Sequence, residues 1–69
     1  MITVKNSLKV ARARQKITQA DLATSLAISR QTVIAIERGR YIPSAVLVLK
    51  LARYFSQPVE ELFELEAHE

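Results

Sequence analysis

Two adjacent side chains near the middle of this 69-residue sequence, Arg30 and Gln31, carry groups that hydrogen-bond to the edges of nucleic-acid bases. A guanidinium matches guanine O6 and N7 in the DNA major groove, and a carboxamide matches adenine N6 and N7. The residues that follow have helical spacing, with Val33 and Ile36 on one side. The other side carries Gln31, Ile34, Ala35 and Arg38. This pattern fits a helix that enters a major groove, and it equally fits an amphipathic helix whose polar side faces water.

Residue types that support catalysis or metal binding are scarce. The chain has no cysteine and a single histidine, His68, next to its last residue. It therefore offers neither a disulfide nor a thiolate metal site, and one histidine cannot build a metal centre alone. The single glycine, Gly39, cannot make a glycine-rich phosphate loop. We expect no enzymatic activity, no metal, no cofactor and no small-molecule ligand.

Charge is distributed unevenly along the chain. The net charge is +3, but residues 1–57 hold all ten lysines and arginines and only two acidic residues, which gives that part +8. Residues 58–69 hold the other five acidic residues, all glutamates. A basic body attracts polyanions, of which nucleic acid is the commonest, although solvated charge on a small protein gives the same composition. The two acids of the basic part, Asp21 and Glu37, are interpreted as a helix cap and as a partner for an arginine, which argues against a nuclease.

Nothing in the sequence predicts a membrane or secreted protein. No run of about 18 apolar residues occurs. Residues 1–5 lack the basic-then-apolar layout of a signal peptide. The lack of cysteine is consistent with a reducing compartment. We expect a soluble, cytoplasmic protein without a membrane partner.

Capping residues and apolar spacing predict five short helices. The first begins after Asn6 or Ser7, and the second begins at Thr18, which forms a capping-box pattern with Asp21. The third begins after its cap, Ser29, and ends at Gly39, where a left-handed residue is favoured. Pro43 and Ser44 open the fourth helix, and Pro58 lies in the first turn of the fifth. The five helices end near Gln15, Leu26, Arg38, Phe55 and Leu62.

Both ends of the chain have strand-like patterns. Residues 2–4 include three β-branched side chains, and residues 63–66 alternate apolar and acidic. The two ends can pair as a small antiparallel ribbon, and frayed termini are the alternative.

Between the second and third helices, small and apolar residues recur at offsets that let one helix brace the other. Ala23 is small where the helices cross, and the inward positions are Leu22, Leu26, Ile28, Val33 and Ile36. With the segments 18–23, 28–33, 36–40 and 43–44, the sequence resembles the Cro/cI-type helix-turn-helix family over about residues 8–63. The resemblance implies an all-α, compact five-helix domain spanning 1–69, with the motif at about 19–38.

The resemblance also implies roles for individual residues. Base readout falls to Arg30, Gln31, Thr32 and Ala35. Contacts with DNA phosphates fall to Gln19, Ser29, Arg38, Arg40, Tyr41 and Arg12. For Arg12 a structural pairing with Glu37 is the alternative. The chain departs from the family at Ala27 and Lys16, where glycines are common, and at Ile34 and Ala35, which are apolar where polar residues are common.

The fourth helix has apolar residues on two sides, which predicts a contact with a second copy of the chain. The core side was assigned to Ala45, Val48, Leu49, Leu51, Ala52 and Phe55. The predicted dimer interface consists of Leu47, Tyr54, Val59 and Leu62, and tolerated surface apolar residues are the alternative.

The expected partners are double-stranded DNA and the chain itself, and the expected function is a repressor on a palindromic operator. An antitoxin or a restriction-modification controller with a protein partner is the rival function.

Overall fold

The computed structural model describes residues 2–67, and the side chains of residues 4–66. The elements are β1 (Ile2–Asn6), α1 (Leu8–Gln15), α2 (Gln19–Leu26), α3 (Arg30–Glu37), α4 (Ala45–Phe55), α5 (Val59–Leu62) and β2 (Phe63–Ala67). The prediction of a five-helix domain with a small ribbon made from the chain ends is confirmed. None of the helices in residues 2–67 has both the length and the apolar character needed to span a bilayer. His68 lies outside the described residues.

Three helices, α2, α3 and α4, begin at cap residues whose side chains accept hydrogen bonds from the first backbone N–H groups. Thr18 Oγ1 accepts a hydrogen bond from the Asp21 N–H at 3.0 Å, and the Thr18 N–H donates to the Asp21 carboxylate at 2.9 Å. These bonds to Thr18 lower the pKa of Asp21. Ser29 and Ser44 cap α3 and α4 in the same way. At α1 the cap position is Ser7, and the preceding Asn6 accepts the Leu8 N–H through its Oδ1 at 3.2 Å.

Each of the four longer helices ends in a left-handed residue, and only one of these is glycine. They are Lys16 (φ 56°), Ala27 (φ 56°), Gly39 (φ 73°) and Ser56 (φ 53°). After α2, the Ile28 N–H donates back to the Ala23 carbonyl at 3.0 Å, which closes the helix end. A left-handed backbone is strained for a residue with a Cβ atom, so the chain stores strain at three of its short connections.

The core contains side chains from all five helices. Its buried members are Leu8, Ala11, Leu22, Ala23, Leu26, Val33, Ile36, Leu47, Leu51, Phe55 and Leu62. Ile17, Ile28, Ala52, Tyr54 and Phe63 pack against this cluster while remaining half-buried. The sequence-based assignment of α2 and α3 to the core through Leu22, Leu26, Val33 and Ile36 is therefore correct.

The assignment of α4 was correct for Leu51, Ala52 and Phe55 and wrong for other positions, including Ala45, which is exposed. Leu47 is 9% exposed and belongs to the core, where it forms a stripe with Leu51 and Phe55 at a spacing of four residues. Leu49, which we had assigned to the core, is 62% exposed. Both sides of α4 are apolar, so periodicity alone could not choose the buried one.

Two further residues of the expected dimer interface also lie against the core. Leu62 is fully buried. Tyr54 is half-buried and packs edge-on against Phe55, with ring centroids 5.0 Å apart. A residue that already fills the core cannot provide exposed contact area, so Leu47 and Leu62 are not interface residues.

The terminal ribbon is antiparallel, with Val4 opposite Leu65 and Lys5 opposite Glu64. On one side of the ribbon Lys5 Nζ lies 3.8 Å from a Glu64 carboxylate oxygen. The register places Val4, Phe63 and Leu65 on the other side. Backbone bonding continues past the ribbon, since the Ser7 N–H donates to the Leu62 carbonyl at 3.0 Å.

Candidate nucleic-acid interface

The α2–α3 pair holds one side of α3 against the core and leaves the other side outside. Ala23 is buried at the crossing, and Val33 and Ile36 anchor the inner side of α3. The left-handed Ala27 and the cap residue Ser29 change the chain direction within three residues. As a result the outer side of α3 is exposed at its first turn.

The first turn of α3 presents the two side chains with the clearest base-recognition chemistry. Arg30 and Gln31 are both exposed. Among residues 2–67 the ion pairs are Lys5–Glu64 and Arg12–Glu37, so Arg30 has no acidic partner there. The expected base-reading residues Arg30 and Gln31 are thus exposed on the first turn of α3.

The rest of the outer side of α3 is less accessible. Thr32, Ile34 and Ala35 are half-buried. The Ser29 and Thr32 hydroxyl oxygens lie 2.8 Å apart and hydrogen-bond to each other, while Ser29 Oγ also accepts the Thr32 N–H. Ser29 therefore serves first as the cap of α3.

A hydrogen-bond network centred on Glu37 joins three helices. Arg12 of α1 donates from Nε to Glu37 Oε2 at 2.6 Å and from Nη2 to Glu37 Oε1 at 3.1 Å. Gln19 of α2 donates from Nε2 to Glu37 Oε1 at 3.1 Å. Because Glu37 is the last residue of α3, this network fixes the end of that helix against its two neighbours.

The network changes the roles of two predicted phosphate-binding residues. Arg12 also donates from Nη1 to the Ile17 carbonyl at 3.1 Å, so its guanidinium faces inward and its side chain is largely buried. The alternative pairing of Arg12 with Glu37 is therefore confirmed. The side-chain amide of Gln19 also faces Glu37, and its backbone N–H lies at the start of α2.

Both charges of the network are stabilised by their pairing. Burial raises the pKa of Glu37, but the hydrogen bonds from Arg12 and Gln19 and the charges of Arg12 and Lys9 outweigh it, and the pKa is lowered. The hydrogen bond with Glu37 raises the pKa of Arg12. The pairing therefore favours the charged form of both side chains.

The connection after α3 adds a second exposed basic segment. Arg38, Arg40 and Tyr41 are exposed on either side of Gly39, whose left-handed turn ends the helix as the sequence predicted. Neither arginine has an ion-pair partner among the described residues. A concave surface lies at the start of α2, and Arg12, Thr18, Gln19 and Arg30 are among the residues that border it.

One contact behind this surface was not foreseen. Asn6 Nδ2 donates to the Ile36 carbonyl at 2.7 Å, which ties the end of β1 to the last turn of α3. Sequence reasoning identified Asn6 only as a helix cap. Its second bond joins residues thirty positions apart, and no local pattern indicates it.

A braced helix pair with an exposed second helix defines the helix-turn-helix class of proteins. The helix-turn-helix family model HTH_3 matches residues 8–62. The chain belongs to this Cro/cI-type family.

Proteins similar to this chain include two HTH-type transcriptional regulators described as uncharacterized. One, from Methanocaldococcus jannaschii, is 48% identical over 66 residues, which cover 96% of this chain and 100% of that protein. The other, YgzD of Bacillus subtilis, is 44% identical over 63 residues, which cover 91% of this chain and 96% of YgzD. A solved structure of a Bacteroides fragilis protein, described as DNA-binding, aligns with a TM-score of 0.80 and 22% identity over 90% of this chain and 100% of that one. That structure establishes the shared fold.

Proposed function

We propose that this chain is a sequence-specific transcriptional regulator that binds double-stranded DNA with α3 in the major groove. The observation that carries the proposal is the exposure of Arg30 and Gln31 on the first turn of a helix that α2 braces away from the body. A helix of this kind fits a major groove, and both side chains bond base edges there in bidentate fashion. Membership of the helix-turn-helix family supports the same function.

The proposed interface has a reading part and a positioning part. Arg30 and Gln31 read bases, and Thr32 and Ala35 contribute smaller contacts, Ala35 through a thymine methyl group. Phosphates are bound by Arg38, Arg40 and Tyr41 after α3, by the Gln19 N–H at the start of α2, and by Ser29 where its hydroxyl is accessible. Arg12 and Glu37 position the helix and do not contact DNA.

We further propose that the protein, as a single domain over 1–69, binds a palindromic operator as a homodimer and represses by occluding a promoter. One α3 reads only a few base pairs, whereas two related by a two-fold axis read half-sites about 34 Å apart. The terminal ribbon supports a likeness to the small dimeric repressor of the cytolysin operon. The HTH-type transcriptional regulators that resemble this chain over nearly their whole length support a regulatory role.

Selection from a random double-stranded DNA library tests the proposal. The wild-type protein should enrich a palindrome whose half-sites are one helical turn apart. The double variant Arg30→Ala, Gln31→Ala should lose roughly 10-fold or more of the preference for that sequence over a scrambled one, because each bidentate pair contributes about 1–3 kcal/mol.

The chain supplies a matched control at the end of α1. Arg14 and Gln15 form the same exposed Arg-Gln pair, so Arg14→Ala, Gln15→Ala makes the identical chemical change elsewhere. The control variant should keep the sequence preference. Equal losses of sequence preference in the two double variants would contradict the proposal. So would a folded wild-type protein that enriches no DNA sequence at low salt.

A further inference from the structure

The backbone turn that ends α3 receives a hydrogen bond from a side chain far away in the sequence. Within the turn, the Gly39 N–H donates to the Ile36 carbonyl at 2.9 Å, and the Arg40 N–H donates to the Ala35 carbonyl at 2.9 Å. With Gly39 in the left-handed conformation, these two bonds form a Schellman motif. The Ile36 carbonyl also accepts from Asn6 Nδ2 at 2.7 Å. A carbonyl oxygen has two lone pairs, so it can accept both donors.

The same turn ends α1, α2 and α4. In these three turns the N–H of the left-handed residue donates to the carbonyl of Ala13, Thr24 or Arg53, at 3.1 Å, 3.2 Å and 3.2 Å. Among the side chains of residues 4–66, that of Asn6 is the one that donates to a carbonyl in this position of the turn. The end of the proposed DNA-binding helix thus has a support that the other three helix ends lack within the same residues.

Asn6 is held in place by the elements on either side of it. Its backbone pairs with Phe63 in the terminal ribbon, and its Oδ1 accepts the Leu8 N–H at the start of α1. The next residue, Ser7, donates its hydroxyl to the Glu61 carbonyl at 2.8 Å. Because these bonds already fix the backbone and the amide group of Asn6, the bond to α3 costs little further conformational entropy.

The turn carries two of the cations proposed to bind DNA phosphates. Arg38 precedes Gly39 and Arg40 follows it, and both arginine side chains are exposed. The dihedral angles of the turn set the directions in which the two side chains leave the backbone. A hydrogen bond that keeps the turn closed therefore also keeps the two arginines in a constant relation to α3.

We infer that Asn6 is a positioning residue for DNA binding, whose amide holds the turn after α3 so that Arg38 and Arg40 face the phosphates. The inference rests on the proposed function, and it adds a residue outside the DNA-contacting set. The Glu37 network holds the end of α3 against α1 and α2, whereas Asn6 holds the following turn against β1.

Hydrogen exchange in the absence of DNA tests the effect of Asn6 on the turn. Asn6→Asp keeps the oxygen that accepts the first N–H of α1 and replaces the nitrogen donor by a second oxygen. The Gly39 and Arg40 N–H groups should then exchange roughly 2- to 10-fold faster than in wild type, because the turn loses one hydrogen bond. The Ser56 and Gln57 N–H groups, which close the same turn after α4, should keep their wild-type exchange rates.

Ser7→Asp is the matched control. It also replaces a side-chain donor to a backbone carbonyl by a carboxylate, but this carbonyl belongs to Glu61 and not to α3. The Gly39 and Arg40 N–H groups should exchange in Ser7→Asp as in wild type. Faster exchange of these two groups in both variants, or in neither, would overturn the inference. If Asn6→Asp loses helical circular dichroism, Asn6→Ser removes the same donor without adding charge and takes its place.

DNA binding separates a positioning role from a purely structural one. The probe is the double-stranded sequence that the wild-type protein enriches, and fluorescence anisotropy at one salt concentration gives the affinity. Asn6→Asp should weaken binding more than Ser7→Asp, which adds the same charge. Arg40→Ala should lower the affinity by a smaller factor in the Asn6→Asp protein than in wild type, because the turn no longer holds the arginine at the phosphate.

The combination of the two measurements decides the inference. Independent, multiplicative effects of Asn6→Asp and Arg40→Ala on the affinity would overturn the positioning role. If the exchange rates change as expected but the wild-type protein enriches no DNA sequence, the role of Asn6 in the turn stands and the proposed function fails.

Discussion

At the scale of single residues, Glu37 decides how the end of α3 is held. Its carboxylate accepts hydrogen bonds from Arg12 and Gln19, which belong to two other helices. Removing one partner of a largely buried charge pair leaves the other without compensation, and this costs more than the pair contributes when intact. The network therefore affects both stability and the orientation of the DNA-binding helix.

Replacing Glu37 with glutamine should destabilise the protein at pH 7 by about 1–3 kcal/mol, because the charge-assisted bonds from Arg12 are lost. The pKa of Glu37 is lowered in the folded state, so its contribution is complete above the ordinary carboxyl pKa and is lost as pH falls through the lowered pKa. The difference in unfolding free energy between wild type and Glu37→Gln should therefore become smaller toward pH 3. Urea unfolding of the two proteins at pH 7 and at pH 3 measures this difference at each pH.

Glu60→Gln is the control for this prediction. Glu60 is exposed and has no ion pair among the described residues, so its replacement should leave both unfolding free energies close to wild type. Asp21 also has a lowered pKa and keeps some acid sensitivity in every variant. If the difference in unfolding free energy between wild type and Glu37→Gln is the same at pH 7 and pH 3, the Arg12–Glu37 pair does not stabilise the fold through its charge.

At the scale of the elements, the short connections depend on left-handed residues that are not glycine. Ala27 lies in the turn between α2 and α3 at φ 56°. Ala27→Gly should stabilise the protein by about 0.5–1 kcal/mol, since relief of the left-handed strain exceeds the entropy that glycine adds to the unfolded chain. Thermal and urea unfolding of the variant measure the gain.

Ala13→Gly is the matched substitution within a helix. Ala13 is an exposed residue of α1 with ordinary helical geometry, so glycine there should cost about 1 kcal/mol. We expect Ala27→Gly to raise the unfolding free energy and Ala13→Gly to lower it. A loss of stability at Ala27 as well would mean that the turn tolerates its backbone conformation without strain.

The starts and ends of the helices were predictable from the sequence where they depend on neighbouring residues. The Thr18 capping box, the Ser29 and Ser44 caps and the Gly39 helix end all depend on residues within a few positions of one another, and the structure has them as expected. The buried side of α3 was also predictable, because Val33 and Ile36 lie opposite its polar residues.

The buried side of α4 was not predictable by the same means. Leu47, Leu51 and Phe55 form one apolar stripe and Val46 and Leu49 form another, so hydrophobic spacing offers two solutions. The choice depends on which helices and strands surround α4, and this is decided by tertiary packing. The bond from Asn6 to the Ile36 carbonyl escaped prediction for the same reason.

At the scale of the whole molecule, the sequence separates its charges along the chain. Residues 1–57 carry +8, and residues 58–69 carry only acidic charges. A field of this kind attracts DNA to the protein in general, but tight binding requires that particular cations replace counterions at the phosphates. Arginines of equal charge should therefore contribute unequally to the affinity for DNA, according to their position on the protein.

Arg38 and Arg14 allow that distinction to be measured, because both are exposed and neither has an ion-pair partner among the described residues. Arg38 follows α3 within the proposed interface, whereas Arg14 lies on α1, about 200° around the helix from the inward-facing Arg12. Arg38→Ala should weaken binding to all DNA sequences alike and reduce the slope of log Kobs against log salt by about 1 per protomer. Arg14→Ala removes the same charge and should leave the slope unchanged. Equal changes in the two slopes would show that net charge, and not the surface around α3, holds the DNA.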